Sequence, residues 1–383
     1  MTAPTASSDA PGPRPRAGAG SLLAGALLAA CGAVPSPTDG AAPPWRGAAL
    51  GLNLAGPEFG MDVVGYSSTA PGREGEAYRF PDPGTVAAVA DAGFEVLRLP
   101  LAWERLQPVP GGPLDRAYTA RTLEVLDAAA RSELGVVLDL HAFGRFRLGA
   151  PAGVHTLVLG APDDGPAPDL LPAHLTDVWL RLLERAGDHP ALLACGLMNE
   201  PHDMGAADWH AASREVVRAL HGAGHRHWMW VAGDGWSKAQ EWTRHNPREP
   251  WIDDPLGRTA YEAHVYLDAD GSGHYALPHA EELRADPGAA TRGVERLRPF
   301  ADWCQRGGVP GVIGEFGVPW WDPAWERAQE DLFGFARERG LAVCAWAAGE
   351  WWGDYALSLQ PALEGRPLPA PLAGALEARR RDR

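Results

Sequence analysis

Two glutamates stand where buried strands should end. In LLACGLMNEP (192–201) an apolar run stops abruptly in Asn199, Glu200 and Pro201, and in GVIGEF (311–316) Glu315 closes another such run. An amide and a carboxylate are costly to bury, so a strand that carries them outward is delivering them to a site, and the proline then ends the ladder. Other apolar runs end in or near Arg98, His141, His264, Tyr266 and Trp346. Singly, each has a structural explanation: Arg98 in an ion pair, the histidines satisfied in a core, Glu315 solvated on a loop. Eight such positions converging on one rim favour a site. Two opposed carboxyl groups can cut a glycosidic bond. One, protonated, donates to the leaving oxygen; the other, ionised, attacks or activates water. Arg98 is the cation available to pair with one of them, and Asn199 is placed to hold a sugar hydroxyl.

The elements that position these residues follow from periodicity. Eight short apolar runs read as strands: 48–56, 94–100, 135–141, 192–199, 227–233, 259–266, 311–316 and 341–349. Their continuous apolar character suits strands buried on both faces. Amphipathic helical stretches separate most of them, over 83–93, 116–135, 174–187, 206–224, 293–308 and 325–340, with a last one over 371–381. The connection after the fifth strand is weak, because SKAQEW makes little more than one turn. Eight strands alternating with helices predict a closed (β/α)8 TIM barrel of the α/β class, whose active site lies at the C-terminal ends of the strands. An open doubly wound sheet competes, but the first strand is followed by AGPEFGMDVVGYSS, which is no Gly-rich phosphate loop.

Composition narrows the function. A net charge of −15 argues against nucleic acid. Sixteen Trp against seven Tyr imply either an aromatic core or a cleft lined with rings. The first residues differ from the rest: a polar, Pro-rich stretch with Arg14 and Arg16, the apolar run SLLAGALLAA, then Cys31. That order is a secretory signal, too short to span a bilayer. Residues 1–31 are thus expected to be a secretory signal, 32–44 a flexible tether, and 45–383 one catalytic domain. Cys195, Cys304 and Cys344 remain; an odd number leaves at least one unpaired, with a Cys304–Cys344 bridge left open. No Cys or His spacing matches a metal site, and no cofactor is expected.

The blocks RLPLAWERLQP (98–108), LDLHAFGRF (138–146), LMNEPHDM (197–204), YEAHVYLDADGSGHY (261–275), IGEFGVP (313–319) and AWAAGEWWGDYALSLQP (345–361) together resemble glycoside hydrolase family 5, in particular its endo-β-1,4-glucanases of fungi and some bacteria. The resemblance implies Glu200 as acid/base and Glu315 as nucleophile of a retaining hydrolase of internal β-1,4 bonds. It implies Arg98, His141, Asn199, His264 and Tyr266 around the carboxylates, and Trp346 as the sugar platform. Trp236, Trp351 and Trp352 are read as further ring-stacking residues. LAAC (28–31) resembles the bacterial lipobox, which would place a monomeric enzyme outside the cytoplasm, membrane-bound only through lipid on Cys31. Three positions depart from the family pattern. Ala142 stands where an Asn is usual, Val265 where a Gln is usual, and Glu350 where a Pro is usual. Ala142 is expected to remove an amide from the cleft and Glu350 to add a charge. Another β-glycan, such as mannan, mixed-linkage glucan or an exopolysaccharide, is the alternative substrate, and a non-catalytic glycan-binding barrel the alternative class.

Overall fold

All eight apolar runs fold as parallel strands. The computed structural model describes residues 43, 45, 50–151, 153–162 and 169–381. Its strands are β1 (Leu50–Leu54), β2 (Val96–Leu101), β3 (Gly135–Leu140), β4 (Arg145–Ala150), β5 (Gly153–Val158), β6 (Leu192–Gly196), β7 (Trp228–Ala232), β8 (Thr259–Tyr266), β9 (Gly311–Gly317) and β10 (Ala342–Ala348). Eight of them close into a ring in the order β1-β10-β9-β8-β7-β6-β3-β2. The antiparallel pair β4–β5 is a separate hairpin that the sequence reading did not foresee. Its RFRLGA stretch alternates weakly, and most of it is only half-buried.

The helices are α1 (Pro83–Ala92), α2 (Trp103–Leu106), α3 (Arg116–Arg131), α4 (Pro172–Ala186), α5 (Trp209–Gly222), α6 (Trp242–His245), α7 (His279–Ala285), α8 (Arg292–Gly307), α9 (Glu326–Glu338), α10 (Gln360–Leu363) and α11 (Ala370–Arg381). Local chemistry sets their ends. Asp82 caps α1 by accepting from the Thr85 amide, Pro83 opens it, and Gly93 at φ 101° closes it. The weak link after β7 becomes a short 3-10 turn running into α6. Trp242 anchors it edge-on against Phe300 at 4.6 Å and Trp303 at 5.3 Å. Helix α7 was not foreseen.

Inward-facing residues stack in layers, as they must when strand side chains alternate. The lowest layer is apolar: Val96, Val137, Ala194, Ala260 and Val312, closed by Trp45 edge-on to Trp228 (5.0 Å) and Trp230 (5.4 Å). Eight of the sixteen Trp are fully buried, so the indole load is first of all a core feature. Cys195, Cys304 and Cys344 are buried and unpaired, which closes the question of a Cys304–Cys344 bridge. Cys31, the signal segment and all of the tether except residue 43 lie outside the described residues.

Candidate active site

One layer above the apolar floor, the same strands turn polar. Arg98, two residues after Val96 on β2, is completely buried. Its guanidinium donates to Asn53 Oδ1 (2.9 Å), Asn199 Oδ1 (2.7 Å) and Glu315 Oε1 (3.2 Å). It also pairs with Asp139 Oδ1 at 2.9 Å and Glu262 Oε1 at 3.0 Å. A guanidinium is the group for this position, because it offers five donors in a fixed plane and stays charged when desolvated. Glycines make room for the carboxylates. A Cβ at Gly314 would lie 1.8 Å from Glu262 Oε1, and one at Gly196 would lie 3.0 Å from Asp139 Oδ1.

Glu315 reaches this layer through an irregularity. The β8–β9 register shifts between Ala263/Ile313 and His264/Glu315, so a bulge at Gly314 turns the next side chain inward. The carboxylate then meets Arg98 on one oxygen and the Tyr266 hydroxyl, at 2.6 Å, on the other. Burial and the facing Glu315 charge hold that phenol protonated well above the usual tyrosine range. Glu200 sits beyond the end of β6 at φ 43°, a conformation an L residue adopts only under constraint. His264 Nδ1 bonds its Oε1 at 2.7 Å and lies 3.5 Å from Glu315 Oε2. Burial disfavours a charged imidazole here, but Glu315, Glu200 and Glu262 outweigh it and push His264 up to about 10. Reacting atoms of Glu200, His264 and Glu315 lie within 4.8 Å of one another.

His141 completes the floor of the cleft. Asp139 accepts from its Nδ1 at 2.9 Å, its Nε2 faces the Asn199 amide at 3.3 Å, and Trp346 stacks parallel to it at 5.8 Å. Burial works against its charged form, yet the Asp139 bond raises its pKa overall. Trp236, at φ 64°, donates its amide to Pro201 O and lies parallel against His202, so it flanks the loop that carries Glu200. Trp351 stands outside this set and borders a groove with Arg79, Thr85 and Glu350.

The network contains groups that sequence reading passed over: Asn53, Asp139, Glu262 and Glu58. Asp139 and Glu262 each precede a site histidine by two residues, and on a strand positions i and i+2 share a face; that spacing was the available signal. Glu58 follows β1 on a loop, binds the Gly56 amide at 2.8 Å, and is close enough to His141 for their charges to interact. Burial pushes its carboxyl up to about 7. The departures from the family pattern are also relocated. Ala142 and Val265 are buried in the apolar core, so they alter the wall behind the cleft and not its lining. Glu350 is paired with Arg79 at 2.6 Å, so it adds no free charge.

A family model described as cellulase, glycosyl hydrolase family 5, matches residues 56–351. The chain belongs to glycoside hydrolase family 5. Among curated family relatives it is similar to a probable endo-β-1,4-glucanase B of Neosartorya fischeri, 28% identical over 316 residues, 82% of this chain and 86% of that one. Among solved structures it is similar to the Pseudomonas stutzeri endoglucanase Cel5A in complex with cellobiose: 29% identity, TM-score 0.71, 86% of this chain and 92% of that one. It is equally similar to the endo-β-1,4-glucanase Xac0029 of Xanthomonas axonopodis pv. citri: 30% identity, TM-score 0.70, 88% and 99% covered. The family 5 barrel is therefore the frame on which these carboxylates stand.

Proposed function

We propose that this family 5 hydrolase cleaves internal β-1,4-glucosidic bonds with retention of configuration, Glu315 acting as nucleophile and Glu200 as acid/base. The observation that carries the reading is the approach of the two carboxylates to within 4.8 Å. Separations of about 5 Å suit double displacement, whereas inversion needs roughly 6.5–9.5 Å to admit water between them. The partners of the two groups support the assignment. Glu315 is aimed by Arg98 and Tyr266, while Glu200 is held by His264 and is the more exposed of the two. In the first step a Glu315 oxygen bonds the anomeric carbon, the glycosidic bond breaks, and Glu200 gives its proton to the leaving oxygen. In the second, water attacks the anomeric carbon, Glu200 takes its proton, and Glu315 leaves as carboxylate. Asn199 and His141 are placed to bind hydroxyls of the sugar at the cut, Trp346 its apolar face, and Trp236 a ring on the Glu200 side. Neither step calls for a cofactor. The curated relative's name and the cellobiose bound in the P. stutzeri structure support β-1,4-glucan as substrate.

Proton NMR of the first products from cello-oligosaccharides tests the mechanism: β-anomers are expected, and α-anomers would remove the nucleophile role from Glu315. Activity on β-mannan with none on any β-glucan would reassign the substrate and leave the mechanism standing.

We also infer that the enzyme works as a monomer outside the cytoplasm, held by lipid on Cys31. The short apolar run ending in LAAC supports the lipid anchor. Mass spectrometry of the mature N-terminus is expected to find an acylated Cys31, and size-exclusion chromatography of the soluble domain a single chain.

A further inference from the structure

The loop that carries Glu200 is bent against the ordinary preferences of its residues. Glu200 has φ 43° and Asp203 φ 44°, and in the loops beside them Phe143 has φ 58° and Trp236 φ 64°. None is a glycine, and for an L side chain this left-handed region is unfavourable. Glu200 is the most constrained, because Pro201, next in the chain, favours extended backbone at the residue before it. Such a conformation persists only where its surroundings impose it.

Here the surroundings are a row of hydrogen bonds to the loop's own carbonyls. The Phe143 amide donates to Asn199 O at 3.0 Å and the Trp236 amide to Pro201 O at 3.1 Å. Arg145, at the start of the hairpin strand β4, donates to Phe143 O at 2.7 Å and to Asp203 O at 3.2 Å. Between them, His202 Nδ1 donates to Glu200 O at 2.8 Å. A carbonyl can only accept, so Nδ1 carries the proton. Burial, outweighing the Glu200 bond, pushes the His202 pKa down, so near pH 7 this N–H is the single one of a neutral ring. The ring lies flat against Trp236, with centroids 3.2 Å apart and planes 11° from parallel, and edge-on to Phe143 at 5.9 Å. A ring held on two sides presents its N–H in one direction, toward the carbonyl of the residue whose carboxyl meets His264.

We propose that His202 is a positioning residue for the acid/base: its Nδ1–H holds the Glu200 backbone in the left-handed turn that aims the carboxyl at His264 and Glu315. The inference rests on the reading of Glu200 as acid/base. Asn199 is fixed by the Phe143 amide and, through its side chain, by Arg98. With that peptide fixed, φ at Glu200 sets the direction of its Cα–Cβ bond. Relaxation of φ toward its ordinary negative range would swing the carboxyl away from Glu315. Glu315 itself is held by Arg98 and Tyr266 and does not depend on this tie. The loss therefore falls on the steps in which Glu200 moves a proton.

Two variants of the full chain separate the donor from the ring. His202→Phe keeps a flat ring against Trp236 and removes the donor, whereas His202→Asn loses the ring and keeps an N–H close to the place of Nδ1. His202→Phe is expected to lower kcat on cellohexaose about 10- to 100-fold with KM within about threefold, the cost of a misplaced catalytic group. The burst of dinitrophenol from a dinitrophenyl β-cellobioside, whose leaving group needs no proton, should stay within about threefold. His202→Asn should recover most of kcat. Unchanged kcat in His202→Phe, a loss expressed in KM alone, an equal loss of turnover and burst, or no recovery in His202→Asn each overturns the proposal. Thermal unfolding followed by circular dichroism checks the fold, and should His202→Phe fail to fold, His202→Ala takes its place under the same criteria. Glu200→Gln is run in parallel. Full turnover in it overturns the acid/base reading. Lost turnover with a retained burst in Glu200→Gln but not in His202→Phe overturns this inference alone.

Discussion

The two ends of the barrel are built from the same strands and do opposite things. At the floor, Val96, Val137, Ala260 and Val312 meet under Trp45 in an apolar plug. Two residues further along β2, β3 and β8, on the same inward face, stand Arg98, Asp139 and Glu262. One step of the pleat separates a hydrocarbon layer from a buried ionic one. The floor gains stability from burial and packing. The mouth carries five carboxyl groups around one guanidinium and two imidazoles, an arrangement with large desolvation costs that only mutual pairing offsets. Stability is concentrated at one end and chemistry at the other.

Substitutions at the mouth that leave packing intact should abolish chemistry and spare the fold. Glu315→Gln has the largest expected effect, a fall in kcat of about 10⁴-fold or more, with thermal unfolding nearly unchanged. Glu200→Gln should lose about 10²–10⁴-fold on glucans yet keep a burst of glycosyl-enzyme formation with a dinitrophenyl glycoside, whose leaving group needs no proton. Stopped-flow release of dinitrophenol checks this.

A pair of substitutions sharpens the contrast through stability. Trp45→Ala at the floor should cost about 3–5 kcal/mol by leaving a cavity, with kcat retained. Arg98→Met should cost a similar amount, about 3–5 kcal/mol, by removing the buried cation that Asp139, Glu262 and Glu315 share, and should lose activity as well. Urea unfolding combined with reducing-end assays separates the two; full activity in folded Arg98→Met would refute its part in the site.

The smallest effect is on pH dependence, and it too belongs to the mouth. Glu58, at about 7, and His264, at about 10, are both raised above their ordinary values of 4.5 and 6.5. Such groups bind more protons folded than unfolded. Their contribution is greatest below the unfolded pKa and fades as pH rises through the folded one. Stability should therefore decline between pH 4.5 and 7 through Glu58 and between pH 6.5 and 10 through His264. Urea midpoints across this range should show both declines, and Glu58→Gln should flatten only the first.

Much of this was legible in the chain. Strands buried on both faces leave continuous apolar runs, so all eight could be counted, and the residues that interrupt each run at its end identified most of the site. The hairpin β4–β5 was not legible, because half-exposed strands lack that signature. Glu58 lies on a loop with no period to mark it. Asp139 and Glu262 were readable from their i+2 relation to His141 and His264 and were missed because they look like ordinary strand interruptions. Other facts were decided only by the closed tertiary structure. The approach of Glu200 to Glu315, the raised pKa of His264, the burial of Ala142 and Val265, the pairing of Glu350 with Arg79 and the outward position of Trp351 all depend on contacts between distant segments. Periodicity is a local property of one strand or helix and states which face a residue shares. Ring closure and strand stagger set distances across the barrel, and burial sets the local dielectric, so neither can be read from any single run.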